Sequence, residues 1–307
     1  MLASALVSTV KLRCMLPTSS SAPGTADADV MAHANDELQS RCVPLLMSMN
    51  EEFLTSTTDV PLVGGQAVYR VPDRCAGSKL RDVTLLAGNV VIHLPRIEPE
   101  MLNQFVTNAT GTPVAFVMEA GGVRLVPTPS AIGLSLRMRY FVRPGAMVTA
   151  AGFAALTSAT TSGLTATLGQ TLGPTATDGH LYDVVSARPP FEFLAMDGAC
   201  TDAVAVNPSH ITFASVSPGI QAGDYLCPSD TSPLVQLPTE MHSLLAQLTV
   251  CRMLQQLGQY DKLDRASAEV ARLEKVALNC LTPRVDGAPR KMRGILQNAR
   301  RAGWFGY

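Results

Sequence analysis

Charge and aromatic rings are both scarce in this sequence. Asp, Glu, Lys and Arg make up 16% of the 307 residues and Phe, Trp and Tyr 5%, with a single tryptophan. Charge is depleted at the centres of protein interfaces, so a surface this poor in charge suits a chain covered by neighbouring subunits. A large core, fed by 47% apolar residues, would give the same composition. The net charge of −1 by itself favours neither nucleic acid nor a membrane as partner. No CxxC pair occurs among the seven cysteines, Cys14, Cys42, Cys75, Cys200, Cys227, Cys251 and Cys280, so neither a zinc site nor a redox motif is signalled. An odd number of thiols, several at apolar positions, reads as small hydrophobes folded in a reducing compartment.

Histidines are equally unpromising for chemistry. His33, His93, His180, His210 and His242 are scattered, and none lies three or four residues from another, so no helical metal pair exists. Dinucleotide, phosphate-loop and nucleophile-elbow motifs are lacking; the glycines of Gly163–Gly173 come without the Lys-Ser/Thr that a phosphate loop needs. No run approaches the roughly 18 apolar residues of a membrane span. Lys11 and Arg13 follow the apolar start rather than precede it, the reverse of a signal peptide. The expectation is a soluble protein with no catalytic residues, no metal, no cofactor and no membrane. Asp183, Glu192, Asp197 and Asp202 lie near one another in sequence and could supply a carboxylate pair, but they read as turn residues, Asp197-Gly198 as a hairpin turn.

What is present falls into zones. From Met1 to about Leu54 the pattern is helical: Thr25 is placed to cap a helix with Asp27 and Asp29 in its first turn. Val30, Ala34, Leu38, Cys42, Leu45, Met49 and Phe53 recur at three- and four-residue spacing as one buried stripe. Pro44 inside it predicts a kink or restart. From about Thr58 to Pro233 the reading is β. Strands are expected at Ala67–Val71, Leu80–Leu86, Val90–Leu94, Val114–Met118, Val123–Val126, Leu134–Val142, Leu181–Ser186, Phe191–Leu194, Ala203–Val206 and Ile211–Phe213. Leu134–Val142 alternates, with Leu136, Met138 and Tyr140 on one face and Arg137, Arg139 and Phe141 on the other. Val148–Asp178, rich in Ala, Thr, Ser and Gly, is weakly β. Helix returns at Pro238-Thr239-Glu240, with Met241, Leu244, Leu245, Leu248, Cys251, Leu254 and Leu257 on its apolar face and Gly258 as its stop. A second helix carries Leu263, Val270, Leu273 and Val276, and the two form a hairpin that packs on the N-terminal helices.

The predicted fold class is therefore α+β: a helical bundle body from both ends of the chain, an inserted antiparallel β module, and an extended C-terminal arm. The boundaries are 1–57, 58–233, 234–281 and 282–307. The arm holds Arg284, Arg290, Lys291, Arg293, Arg300 and Arg301 against Asp286 alone, a net +5. The remainder has 18 cations and 24 acids, a net −6, an asymmetry that the neutral total conceals. Pro283, Pro289 and four glycines forbid one continuous helix, and the arm ends Trp304-Phe305-Gly306-Tyr307. Aromatics and Arg are the usual anchors of interfaces, so Pro283, Arg284, Arg290, Lys291, Arg293, Arg300, Arg301, Trp304, Phe305 and Tyr307 are the candidate partner-binding residues. A tail folded on its own body, or a single-strand nucleic-acid binder, are the other readings of the same residues.

Several segments carry a likeness to a known family. They are Val43–Glu52, Tyr69-Arg70-Val71-Pro72, Arg81-Asp82-Val83, Gly111-Thr112-Pro113, Val123–Pro129, Arg139–Gly145, Ser232–Pro238 with the helix to Gly258, and Thr282–Gly287. In this order they resemble the head-to-tail adaptor (connector, or neck) proteins of tailed bacteriophages. The likeness runs along most of the chain and is weakest across Thr149–Gly179. It implies a virion structural protein at the head–tail junction, assembled in the host bacterial cytoplasm as a ring, commonly of twelve subunits. Its arm would enter crevices of the portal ring, its far side would receive a tail or nozzle protein, and packaged DNA would pass through without sequence-specific binding. Another neck or tail-tube subunit, a nucleic-acid-binding assembly factor and, last, a virion-borne hydrolase are the alternatives.

Overall fold

The computed structural model describes residues 1–17, 24–88, 90–104, 109–130, 133–149, 153–160, 163–166, 181–199 and 219–282. It is mixed α and β, with sheets that are mainly antiparallel. Helices from both ends of the sequence share one core. They are α1 (Ala3–Arg13), α2 (Asp27–Glu37), α3 (Val43–Met49), α4 (Thr239–Gln256) and α5 (Tyr260–Leu281). The start of the chain is stitched to the end of the β region: Ala3 N donates to Pro233 O at 2.8 Å, and Val235 N to Met1 O at 3.0 Å.

α4 lies at the centre of this core, its Met241, Leu245 and Met253 fully buried, and α1, α2 and α5 all contact it. On α2 the residue in the N-cap position is Ala26 rather than the expected Thr25. Asp29 reaches back from the first turn to accept a hydrogen bond from Gly24 N at 2.7 Å, which satisfies a donor just outside the helix. The stripe is buried from Val30 through Cys42, and Leu45, Met49 and Phe53 pack partly against the same core. At Pro44 the helix restarts, one of the two outcomes the proline predicts. A π-turn at Leu38–Cys42 leads directly into α3, where Pro44 falls in the first turn, the place at which its missing N–H costs least. On α5 the packed line is Leu263, Ala266, Val270, Leu273, Ala277 and Leu281. Val276, expected on that line, is exposed, because the helical repeat carries the seam to Ala277 instead.

The first sheet has the order β1 (Thr55–Pro61), β9 (Ser135–Val142), β3 (Cys75–Ala87), β4 (Val90–His93). A second joins β2 (Val68–Arg70), β7 (Gly122–Val126) and β6 (Ala115–Glu119). These two enclose a core that includes Tyr69, Val83, Leu85, Val123, Leu136 and Met138. Leu136, Met138 and Tyr140 of β9 face inward as the alternation predicts. On the opposite face Arg137 pairs with Asp59 at 2.7 Å and Arg139 with Asp82 at 3.5 Å. Phe141, expected on that Arg-bearing face towards solvent or a partner, is buried within the chain, with Lys79 Nζ 4.7 Å from its ring centre.

A third sheet runs β12 (Gly163–Ala166), β11 (Ala154–Thr160), β15 (Tyr225–Pro228), β13 (Leu181–Val185), β14 (Phe193–Ala199). β11 and β12 give substance to the weak β reading of that stretch, and Asp197-Gly198 lies inside β14 instead of forming a hairpin turn. Short parallel pairs complete the set, β5 (Thr110–Gly111) with β8 (Thr128–Pro129) and β10 (Ala146–Met147) with β16 (Thr231–Ser232). At the last of these, a methyl added to Gly145 would lie 2.9 Å from the Thr231 carbonyl carbon, so the close approach requires glycine there. The strands expected at Ala203–Val206 and Ile211–Phe213 lie outside the described residues.

Candidate functional site

All ten candidate arm residues, Pro283, Arg284, Arg290, Lys291, Arg293, Arg300, Arg301, Trp304, Phe305 and Tyr307, lie outside the described residues. The described chain ends at Thr282, whose hydroxyl donates to Leu278 O at 2.6 Å.

Of the four acids that could have supplied a carboxylate pair, two converge, and on a cation. Arg74, in the loop between β2 and β3, is buried. Its Nη1 donates to Asp183 Oδ2 at 2.6 Å and its Nη2 to Asp183 Oδ1 at 2.9 Å, while Nη2 also reaches Asp197 Oδ1 at 2.8 Å. Nε lies 3.2 Å from Asp230 Oδ1, and the guanidinium carbon sits 5.3 Å from the centre of the Phe193 ring. Asp183 accepts two more bonds, from the backbone N–H of Asp197 and of Asp230, both at 3.0 Å. Burial opposes the charge on Arg74, but the bond to Asp183 and the charges of Asp183, Asp197 and Asp230 outweigh it and raise the pKa. Asp183 is fully engaged, each of its oxygens accepting from Arg74 and from one backbone N–H. What the arrangement can do is hold: it ties the β2–β3 loop to β13, β14 and the β15–β16 turn. Glu192 is exposed and is not among the partners of Arg74; Asp202 lies outside the described residues. Sequence reading missed Arg74 and Asp230, since a contact spanning 109 residues leaves no local signal.

Burial holds four thiols protonated: Cys14 and Cys75 are pushed up to about 11 and Cys42 to about 12, with Cys227 raised further. Among the described residues, no group of three or more His, Cys, Asp and Glu side chains is placed to hold a metal ion. His33 pairs with Gln256 at 2.8 Å. His242 is buried against Phe191, and its Nε2–H donates to Leu237 O at 3.0 Å. Burial holds the pKa of His242 below its ordinary 6.5, so the unfolded chain binds the proton more readily than the folded one. Stability should therefore be full above about pH 6.5 and decline as the pH falls from there towards the lower folded value. His242→Gln should flatten that decline, as read from urea midpoints between about pH 5 and 7.5; an unchanged slope would show that other groups set it.

Two surface features stand out beside these interior groups. Among the described residues β4 is an edge strand, on which Val90 and Val91 are 59% and 61% exposed. An open groove of about 720 Å³ is walled by Ser56–Val60 of β1 and Phe193–Asp197 of β14, with Met138, Tyr140 and Arg70–Arg74 lining the rest. Among the described residues, no helix is long and apolar enough to cross a membrane.

No curated protein matches the chain. Residues 2–168, more than half of it, match the family model described as SU10 adaptor protein. This stretch takes in α1 to α3, the first two sheets with their shared core, and the entry to the third sheet. The chain thus belongs to the SU10 adaptor protein family, a family of phage head-to-tail adaptors.

Proposed function

We propose that the protein is a non-enzymatic virion subunit that forms a ring beneath the portal, continues the DNA channel and receives a tail or nozzle protein on its far side. The observation that carries this reading is the adaptor-family match over residues 2–168. Two further features support it. Two of the four acids that a catalytic reading would have used, Asp183 and Asp197, are engaged by Arg74, and the charge is divided between a net +5 arm and a net −6 remainder. An acidic wall would limit adhesion of passing DNA, since phosphate attraction is electrostatic. In this reading residues 1–57 and 234–281 are a helical bundle body, 58–233 an inserted β module, and 282–307 an extended arm. Arg284 through Arg301 supply the arm's charge, and Trp304, Phe305 and Tyr307 are its anchors in the portal. The ring is of twelve subunits, after the family pattern, and assembles in the host cytoplasm.

Removal of residues 282–307 should abolish copurification with the portal protein while circular dichroism retains the helical signal. In the full chain, Trp304→Ala should weaken binding on the order of thirtyfold or more, the usual scale for a buried aromatic anchor. Unchanged portal affinity in both variants would refute the arm assignment. The basic arm also admits a nucleic-acid-binding assembly factor. In that case DNA affinity would fall steeply with salt and be lost with the arm, whether or not portal protein is present.

A further inference from the structure

The exposed apolar edge and the open groove lie on different parts of one chain, and each has what the other lacks. β4 presents Val90, Val91 and Ile92 to solvent together with the unpaired backbone groups of an edge strand. Natural edges are ordinarily blunted by charge, proline or a bulge. Val90–His93 contains no charged residue and no proline, and its pairing with β3 runs without a register shift. Moreover, the apolar row of the first sheet runs from Val60 through Leu136 and Leu85 to Ile92 in matched register. The row ends in solvent at Ile92, which is 38% exposed against 0% for Leu136 and Leu85.

The groove is the complementary half. Among the described residues both of its walls, β1 and β14, are edge strands of their own sheets. Each contributes five residues, Ser56–Val60 and Phe193–Asp197. At about 3.3 Å per residue they run roughly 16 Å, enough for the roughly 13 Å of a four-residue strand. The charges that line it are already paired: Asp59 with Arg137, Arg70 with Asp73, and Arg74 with Asp197. An uncharged strand entering there leaves no ion without its partner, whereas a charged one would bury an extra unpaired ion at a cost of several kcal/mol.

We propose that β4 of one copy seats in the groove between β1 and β14 of the next copy, adding a strand to a sheet edge. Donor and acceptor are different surfaces of the same chain, so the contact is head-to-tail. Repetition of such a contact closes into a ring when the rotation allows. The inference deepens the proposed function by naming its subunit contact, and rests on the ring assembly within it but not on portal docking.

The test uses full-length protein in a Cys280→Ser background, because Cys280 is an exposed thiol. One chain carries Val91→Cys and a second carries Thr57→Cys; the two are mixed at high concentration with a short thiol–thiol crosslinker. A covalent dimer containing one of each chain is expected, and Ile92→Lys on the Val91→Cys chain should reduce it on the order of tenfold or more, the scale of burying an unpaired charge. Circular dichroism of the Ile92→Lys chain should be unchanged, since an exposed edge tolerates lysine. Two outcomes overturn the proposal: crosslinking of Val91→Cys chains to one another in preference, which would signify a symmetric edge-to-edge dimer, or a folded mixture that yields no mixed dimer. Neither outcome touches portal binding by the arm, which is measured separately.

Discussion

Arg74→Ala is expected to destabilise the protein by about 3–5 kcal/mol, the usual cost of breaking a buried ion pair by removing one partner. Asp183 is 0% exposed and would keep only the backbone N–H of Asp197 and Asp230 as donors. Asp197 and Asp230 are about half and three-quarters exposed, so water compensates them and the loss concentrates on Asp183. The double variant Arg74→Ala/Asp183→Ala should be less destabilised than the sum of the single ones, because it removes the stranded charge along with the cation. Burial pushes the Asp183 carboxyl up, against the pull of Arg74 and the two N–H groups. Burial already prevails with Arg74 in place, and without it the upward push is greater still, so the ionised carboxyl costs more stability than in the wild type. The deficit relative to wild type should then shrink as the pH is lowered and Asp183 takes up a proton in the folded state. Urea titrations of the four proteins at two pH values measure all of this. A single-variant loss below about 1 kcal/mol would mean that the cluster contributes no more than a surface pair.

Leu245→Ala is the second large effect, about 2–5 kcal/mol by loss of buried methyl groups and the cavity left behind. Leu245 is fully buried near the middle of α4, the helix that α1, α2 and α5 all touch, so no single neighbour can move in to fill the space. Val276→Ala on α5, at an exposed position, should stay within about 0.5 kcal/mol. Thermal melts of the pair compare two apolar truncations that a helical pattern alone would rank together. Equal shifts would place the packed seam of α5 elsewhere.

That contrast shows how far the sequence was legible. α4 was readable almost residue by residue, since Met241, Leu244, Leu245, Leu248 and Leu254 repeat at helical spacing and all are buried. α5 was readable as a helix but not in its seam: Ala266 and Ala277, too small to signal burial, carry contacts that Val276 does not. β9 declared its inner face by strict alternation, yet Phe141 on the other face is also buried, with Lys79 over its ring. β1, written Thr-Ser-Thr-Thr-Asp-Val-Pro, has almost no apolar signal and begins three residues before the predicted β region. Asp197-Gly198 misled for a definite reason. A tight hairpin turn at this pair would need a positive φ, and Asp197 does have φ 55°. The residue sits at a register shift where β14 pairs with β13, held by Arg74 from far along the chain. The family likeness rested on short segments spread from Val43 to Gly287 and agrees with the family match over residues 2–168. The arm's partner-binding role depends on a surface of another protein, about which this chain's own residues carry only charge and ring content.

The helical core joins α1–α3, complete by Met49, to α4, which begins at Thr239. At the usual elongation speed of 5–20 residues per second, the ribosome takes roughly 10–40 s to deliver the 189 residues between them. For that interval the buried stripe from Val30 to Cys42 has none of its α4 contacts. The two β sheets that share Tyr69, Leu85 and Leu136 are meanwhile finished by Val142 and free to fold first. Synthesis should thus produce a nascent chain with a settled middle and an unfinished start, one whose yield depends on translation speed and on chaperones that shield α2. Slowing elongation downstream of Val142 would lengthen that exposure without altering a single contact of the finished protein.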